Sequence, residues 1–214
     1  MKLNVFKRFI LRIASCVYPV KIFNKENLPQ ENCVIVCNHF SVIDCLYLAI
    51  LNKRQNYLIL AKKEALKSNV YGKILKGYGA IPIDREKPDL RTLIDLIKFL
   101  KNGNNKLLIF PEGTRNKTGT IDIQPLKEGA GVFALKAKCK ILPIIIWKKA
   151  RIFRRNKMIV GTPFELCDFY DKKGNEQDQG KITQLIYDKM VEEQKNLLKL
   201  TTKRVKNESN NRKK

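Results

Sequence analysis

The only histidine in the chain, His39, stands five residues before an aspartate, Asp44. A helix that begins near Phe40, with Ser41 in its first turn, would turn the Asp44 carboxylate back towards the imidazole ring. A carboxylate beside an imidazole is the arrangement of a general base and the group that orients it. The alternative is a loop histidine beside an ordinary first-turn acid, and this segment taken alone favours that alternative.

Two later loops also place charged side chains directly after apolar strands. The first loop, IPIDR, ends in Asp84-Arg85, and the second, FPEGTR, contains Glu112 and Arg115. Taken singly, each is explained by a solvated turn pair or a local surface salt bridge, which contributes little. Their common position after apolar strands makes a shared site the better interpretation.

The two arginines predict a site for an anionic group. If the strands are neighbours in one sheet, Arg85 and Arg115 would converge beside His39 and bind a phosphate through paired hydrogen bonds. Gly113 would let backbone N–H groups approach the same anion closely.

Apolar strands and amphipathic helices alternate along the chain, which predicts an α/β fold. Continuous apolar strands indicate a single domain with a mostly parallel or mixed sheet covered by helices, and functional groups gather beyond the strand ends of such sheets. The expected strands are 33–37, 57–61, 80–83, 106–110 and 141–147, with an edge strand at 158–160, and the expected helices are 44–51, 65–79 (weakly helical), 88–101, 127–138 and 181–200.

The two ends of the chain differ in composition from this domain. Residues 1–22 have apolar residues at helical spacing with basic residues between them, which predicts an amphipathic helix in a membrane interface or a helix that caps its own domain. Arg8 and Arg12 interrupt the apolar run that a membrane-spanning helix would need. We expect the globular domain over residues 23–202 and a disordered basic tail over residues 203–214.

The composition indicates anionic partners and a reducing compartment. The net charge of +23, from 43 Lys and Arg against 20 Asp and Glu, suits lipid headgroups, phosphorylated substrates, an acidic carrier protein or nucleic acid. No recognisable nucleic-acid-binding module accompanies that charge, so a nucleic-acid binder is only a distant alternative. Six cysteines without a CxxC pair, together with a single histidine, predict no metal site and no disulfide framework.

The three loops that carry polar and charged residues together resemble the sequence motifs of a known enzyme family. Residues 38–44 are similar to the His-x4-Asp block of the 1-acyl-sn-glycerol-3-phosphate acyltransferases, or lysophosphatidic acid acyltransferases, of the glycerolipid acyltransferase family. Residues 79–85 (GAIPIDR) resemble the second block of that family, residues 110–115 (FPEGTR) the third, and Pro143 the fourth. The blocks occur in the order of the family and span about half of the chain.

A looser resemblance adds one more basic residue. Residues 125–134 (PLKEGAGVFA) are similar to the basic, glycine-containing stretch that follows the third block, and they contribute Lys127. Glu128 departs from that pattern, because a basic or neutral residue is more usual there.

The resemblance implies the transfer of a fatty acyl group from a thioester, on acyl carrier protein or coenzyme A, to the sn-2 hydroxyl of lysophosphatidate. It implies no cofactor besides the acyl donor, and it favours attachment of residues 1–22 to an anionic membrane surface on the cytoplasmic side, as a peripheral or monotopic protein. His39 would act as general base and Asp44 would orient it. The glycerophosphate would be bound by Arg85, Glu112, Gly113, Thr114, Arg115 and Lys127.

Two alternatives stay open within this resemblance. A related enzyme that acylates glycerol 3-phosphate or another lysophospholipid would keep the same catalytic pair. A covalent route would use Ser41, Cys37 or Cys45 as nucleophile. Ser41 better fits a position at the start of a helix, and the two cysteines lie beside apolar segments where thiols are poorly activated.

Overall fold

The computed structural model describes residues 5–51, 56–67, 69–84, 89–170 and 176–211. Within these residues the chain forms six α-helices and a sheet of seven strands. The helices are α1 (Val5–Val17), α2 (Ile43–Leu51), α3 (Asn69–Gly77), α4 (Leu90–Lys101), α5 (Ala130–Ala137) and α6 (Glu176–Asn211). The strands are β1 (Val20–Phe23), β2 (Cys33–Cys37), β3 (Tyr57–Lys62), β4 (Ala80–Ile83), β5 (Lys106–Ile109), β6 (Lys140–Ile146) and β7 (Asn156–Val160).

The strands form one mixed sheet in the order β1-β7-β6-β2-β5-β3-β4. Every neighbouring pair is parallel except β6 and β7, which are antiparallel. The carboxyl ends of β2, β5 and β6 therefore meet at the same edge of the sheet, with β2 in the middle. The predicted α/β fold with a mostly parallel or mixed sheet is confirmed.

Strand β2 is buried on both faces, because its alternate side chains enter two different cores. Val34 and Val36 pack in the core formed with α4, α5 and α6, where Leu100 and Phe133 are buried. Cys33, Ile35 and Cys37 pack on the opposite face against α2. A strand covered on both sides reads as a continuous apolar run, which is why the sequence indicated a buried strand here.

Local sequence signals predicted the position of helix α4. Asp89 precedes its first residue and accepts hydrogen bonds from the backbone N–H groups of Arg91 and Thr92. Lys98 and Lys101 lie in its last turn, where positive charge complements the helix dipole. The helix differs from the predicted range 88–101 only at its start.

Two predictions at the end of the sheet are wrong. Strand β1 begins inside the segment 1–22 that is predicted to precede the domain, with three of its four residues there, and it pairs parallel with β7. Residues 158–160 are consequently not an edge strand, because β7 lies between β1 and β6. Four half-buried residues directly after a helix carry too little alternation to identify a strand from sequence.

The predicted disordered tail also differs from the structure. Helix α6 continues to Asn211, so residues 203–211 are helical, while residues 212–214 lie outside the described part of the chain. Lysine, arginine and glutamate occur in this segment and are good helix formers, which favours a continued helix. Among the described residues, no helix combines the length and apolar character needed to cross a membrane.

Candidate active site

Asn38 fixes the loop that follows β2. Its side chain is buried and makes two hydrogen bonds to the last residue of β6: the Nδ2 amide donates to the Ile146 carbonyl at 2.9 Å, and the Ile146 N–H donates to Oδ1 at 2.8 Å. The loop is thereby held to a neighbouring strand immediately before His39. Sequence analysis did not identify Asn38 as a site residue, although a polar amide at the end of an apolar strand was the available signal.

The predicted contact between His39 and Asp44 is present. Nδ1 of His39 lies 2.9 Å from Oδ2 of Asp44, whose carboxylate is fully buried. The same oxygen accepts hydrogen bonds from the backbone N–H groups of Phe40 and Ser41, both at 2.7 Å. Because α2 begins only at Ile43, the carboxylate closes the turn that precedes the helix and brings that turn to the imidazole.

This geometry assigns the proton of a neutral His39 ring to Nδ1. A carboxylate that already accepts two backbone N–H groups is an acceptor towards Nδ1 as well, so the lone pair of the neutral ring is on Nε2. Within the described residues, Nε2 makes no hydrogen bond. The ring stacks on Phe110 with centroids 4.0 Å apart and its side chain is 17% exposed. A base with a fixed tautomer and an accessible lone pair results.

The FPEGTR loop follows β5 and lies directly beside the histidine loop. The backbone N–H of Gly113 donates to the Phe110 carbonyl at 3.1 Å, and Gly113 has φ +75°, a conformation that glycine adopts without strain. The N–H of Asn116 donates to the carbonyl of His39 at 2.6 Å. These bonds connect the two loops through their backbones, so the position of each depends on the other.

Glu112 is a buried carboxyl group in this loop. Its side chain is 3% exposed, and neither of its oxygens makes a hydrogen bond of normal geometry to another described residue. Burial raises the pKa of Glu112 from 4.5 to about 7, the facing backbone N–H of His39 opposes this, and the nearby Asp44 carboxylate adds to it. The alternative of a surface salt bridge between Glu112 and Arg115 therefore does not apply.

Thr114, Arg115 and Lys127 are exposed around the same turn. The backbone N–H of Lys127 donates to the carbonyl of Pro111 at 2.8 Å, which pins the later loop to the FPEGTR turn. The positive charge of Arg115 lies close enough to Cys45, in the first turn of α2, to act on its thiol. The structure thus gathers two predicted cationic residues at the sheet edge that carries the histidine.

Comparison with known proteins identifies the family. The model of the Acyltransferase family matches residues 19–147. The chain is 35% identical to the 1-acyl-sn-glycerol-3-phosphate acyltransferase of Bacillus subtilis, over 70% of this chain and 76% of that protein. It is 31% identical to the enzyme of the same name from Streptococcus pneumoniae, over 72% of this chain and 58% of that protein. The chain belongs to the acyltransferase family.

A solved structure has the same fold. The crystal structure of the 1-acyl-sn-glycerophosphate acyltransferase from Thermotoga maritima superposes with a TM-score of 0.59 and 21% sequence identity, covering 87% of this chain and 80% of that one. The family resemblance predicted from the motifs is confirmed.

The second and fourth sequence blocks of this acyltransferase do not lie in the two connected loops that contain the first and third blocks. Arg85 lies outside the described residues. Strand β4, which precedes it, is at the edge of the sheet and is separated from β2 by β5 and β3, or about 14 Å at the usual strand spacing. The assumption that all three loop-bearing strands are neighbours is therefore wrong for β4. Pro143 is buried within β6, in register with Val36 of β2.

The three candidate nucleophiles of a covalent route are poorly placed. The Ser41 hydroxyl faces Asp44 Oδ1 at 3.4 Å and accepts from the Ile43 N–H at 3.2 Å, which is a helix-start role. Burial raises the pKa of the Cys37 thiol well above its ordinary value and that of Cys45 to about 12. Thiols that stay protonated in a buried site are weak nucleophiles.

Proposed function

We propose that the protein is a 1-acylglycerol-3-phosphate O-acyltransferase, which transfers a fatty acyl group from an acyl thioester to the sn-2 hydroxyl of 1-acyl-glycerol 3-phosphate and forms phosphatidic acid. The hydrogen-bonded pair of His39 and Asp44 carries this proposal, because it presents a general base of fixed tautomer at a partly open sheet edge. The Bacillus and Streptococcus relatives are both named 1-acyl-sn-glycerol-3-phosphate acyltransferases, which supports the choice of acceptor.

In the proposed reaction Nε2 of His39 removes the proton of the sn-2 hydroxyl while the oxygen attacks the thioester carbonyl. Asp44 accepts the hydrogen bond from the Nδ1–H group throughout the reaction and stabilises the imidazolium that forms. Collapse of the tetrahedral intermediate breaks the carbon–sulfur bond, and the imidazolium returns its proton to the departing thiolate. The products are the new ester and a free thiol, and the histidine is neutral again.

The phosphate of the acceptor would bind to the exposed cations beside the FPEGTR turn. Arg115 offers a planar guanidinium for two phosphate oxygens, Lys127 adds a second positive charge, and Gly113 and Thr114 supply small groups that allow close approach. Arg85, which follows β4 in the sequence, is also proposed to contribute to phosphate binding. These contacts would orient the glycerol backbone towards His39.

Glu112 is proposed to bind the acceptor through its protonated form. With a pKa of about 7, about half of the molecules carry a neutral carboxyl at neutral pH. A neutral carboxyl donates a hydrogen bond to a substrate oxygen, whereas an ionised one would repel the phosphate. Its position close to the His39 backbone and to Asp44 suits a contact with the glycerol part of the acceptor.

The acceptor is a membrane lipid, so we also propose that the protein binds the cytoplasmic face of the membrane peripherally or monotopically. Helix α1 supports this proposal: Leu11 is buried against the domain, while Arg12 is exposed and Ile13 is 50% exposed. An apolar and basic outer face of this kind suits an interface between water and anionic lipid.

The test is an acyl-transfer assay of the purified protein with lysophosphatidate and, in parallel, acyl carrier protein and coenzyme A thioesters. Formation of phosphatidic acid with at least one donor is expected, and the comparison identifies the donor. Glycerol 3-phosphate and lysophospholipids with larger headgroups serve as competing acceptors. Faster turnover of one of these would replace the proposed acceptor, and no transfer to any of them would refute the proposal.

A further inference from the structure

The connection between β6 and β7, residues 147–155, is a basic hairpin with an apolar tip. At the tip Ile152 is 58% exposed and Phe153 is 74% exposed, which makes Phe153 the most exposed large apolar side chain among the described residues. Five cationic residues flank this pair: Lys148, Lys149, Arg151, Arg154 and Arg155. Nothing in the mechanism proposed above uses these residues.

The cationic residues of the hairpin surround a cavity of about 420 Å³. Its lining consists of Lys148, Lys149, Arg151, Arg154, Arg155 and Asn156, with no carboxylate. In the described part of the chain, none of these five cations forms an ion pair with an acidic side chain. Clustered positive charge in a concave surface attracts an anion, and a phosphate-bearing headgroup fits a space of this size.

Two hydrogen bonds to backbone carbonyl groups fix the conformation of the hairpin. Phe153 has φ +54°, an unfavourable conformation for a bulky side chain, and its N–H donates to the carbonyl of Val17 at the end of α1, at 2.7 Å. At the base, the Asn156 side chain donates to the carbonyl of Lys148 at 2.6 Å. The exposed tip is therefore presented by a rigid turn that is anchored to α1.

The hairpin leaves the sheet at the edge that carries the catalytic pair. Ile146, which precedes it, is the residue that binds the Asn38 amide next to His39. The Asn156 amide also faces the hydroxyl of Tyr47, on the helix that carries Asp44. A surface bound by the hairpin would thus lie on the side of the molecule where the acceptor lipid must enter.

We propose that residues 147–155 form a membrane-docking hairpin, in which Ile152 and Phe153 enter the bilayer interface and the cavity lined by the basic residues binds an anionic phospholipid headgroup. The inference rests on the proposed lipid acceptor. A bilayer fits better than an acidic carrier protein, because two exposed apolar side chains ringed by cations match a surface that is charged outside and apolar beneath. Together with α1 the hairpin gives two attachment points, which stable peripheral binding requires.

The test measures binding of the purified full chain to sedimented vesicles of phosphatidylcholine with and without phosphatidylglycerol. The wild type is expected to bind only the anionic vesicles, and more weakly as salt is raised. A triple variant, Arg151→Gln, Arg154→Gln and Arg155→Gln, should bind on the order of a hundredfold more weakly, at about fivefold for each cation removed near the surface. The tip variant Ile152→Ser with Phe153→Asn should bind about tenfold more weakly; asparagine tolerates the positive φ.

Matched variants control for charge and for exposed apolar area. Lys98→Gln, Lys101→Gln and Lys136→Gln remove three exposed cations from the last turns of α4 and α5, at the opposite edge of the sheet. Leu90→Ser with Ile94→Ser removes two exposed apolar side chains from α4. Both control variants are expected to bind anionic vesicles within about twofold of the wild type. Thermal melting of each variant establishes that it is folded.

Three outcomes would overturn the proposal. The first is that either hairpin variant binds anionic vesicles as strongly as the wild type. The second is that the control variants lose as much vesicle binding as the hairpin variants. The third is a triple variant that loses more of its binding to acyl carrier protein than of its binding to anionic vesicles, which would assign the hairpin to the donor. Acyl transfer to lysophosphatidate in detergent micelles separates this test from the proposed function: the hairpin variants should be active there, and an inactive wild type that still binds vesicles would refute only the function.

Discussion

Replacing Glu112 with Gln should change how the stability of the protein depends on pH. The carboxyl is buried beside Asp44, and burial raises its pKa to about 7. In the unfolded chain the pKa returns to its ordinary 4.5, so between these values the folded protein binds the proton more tightly. A carboxyl group whose pKa is raised by folding stabilises the folded state fully below pH 4.5. This contribution is lost as the pH rises through about 7.

The size of this effect follows from the two pKa values. A shift from 4.5 to about 7 corresponds to a free-energy difference of about 3 kcal/mol at full ionisation. In wild-type protein this group should therefore lower the free energy of unfolding by about 3 kcal/mol between about pH 4 and about pH 8. Glutamine keeps the shape of the side chain and cannot ionise, so the variant lacks this contribution.

Urea unfolding of both proteins at several pH values measures the difference directly. The wild-type free energy of unfolding minus that of Glu112→Gln should fall steadily from about pH 4.5 to about pH 7 and then level off. Glu128→Gln, which removes an exposed carboxylate from a nearby loop, controls for the change in net charge. A difference that is constant with pH, or that rises, would show that Glu112 is not a buried neutral carboxyl.

Three further substitutions test other parts of the site. His39→Ala should lower acyl transfer by about a thousandfold or more with little change in circular dichroism, and near-normal turnover would contradict the general-base mechanism. Asn38→Ala leaves two buried backbone groups of Ile146 unpaired and should cost about 3 kcal/mol in urea unfolding, whereas the exposed Asn104→Ala should cost almost nothing. Arg115→Ala should lower kcat/KM for lysophosphatidate about tenfold to a hundredfold, mainly through KM, while an equal loss in Lys117→Ala would indicate only a general charge effect.

The contact between His39 and Asp44 could be predicted from sequence because its geometry is local. His39 and Asp44 are five residues apart, and a turn that leads into a helix can bring residues at this spacing together. The two apolar-strand motifs, FPEGTR and IPIDR, likewise identified strand-end loops, since burial on both faces leaves a continuous apolar run in the sequence. The family followed from those blocks and from their order, and the fold class followed from the alternation of apolar strands with amphipathic helices.

Contacts between distant segments were decided only by the tertiary structure. The bond between Asn38 and Ile146 joins residues 108 positions apart, and the burial of Glu112 depends on β5 lying beside β2. Periodicity reports which residues are apolar but carries no information on strand order, so the position of β4 at the sheet edge and the pairing of β1 with β7 could not be read from it. The sequence thus determined the contact of His39 with Asp44, because the two residues are linked by a short stretch of backbone, while the environment that surrounds them required the long-range packing of the sheet.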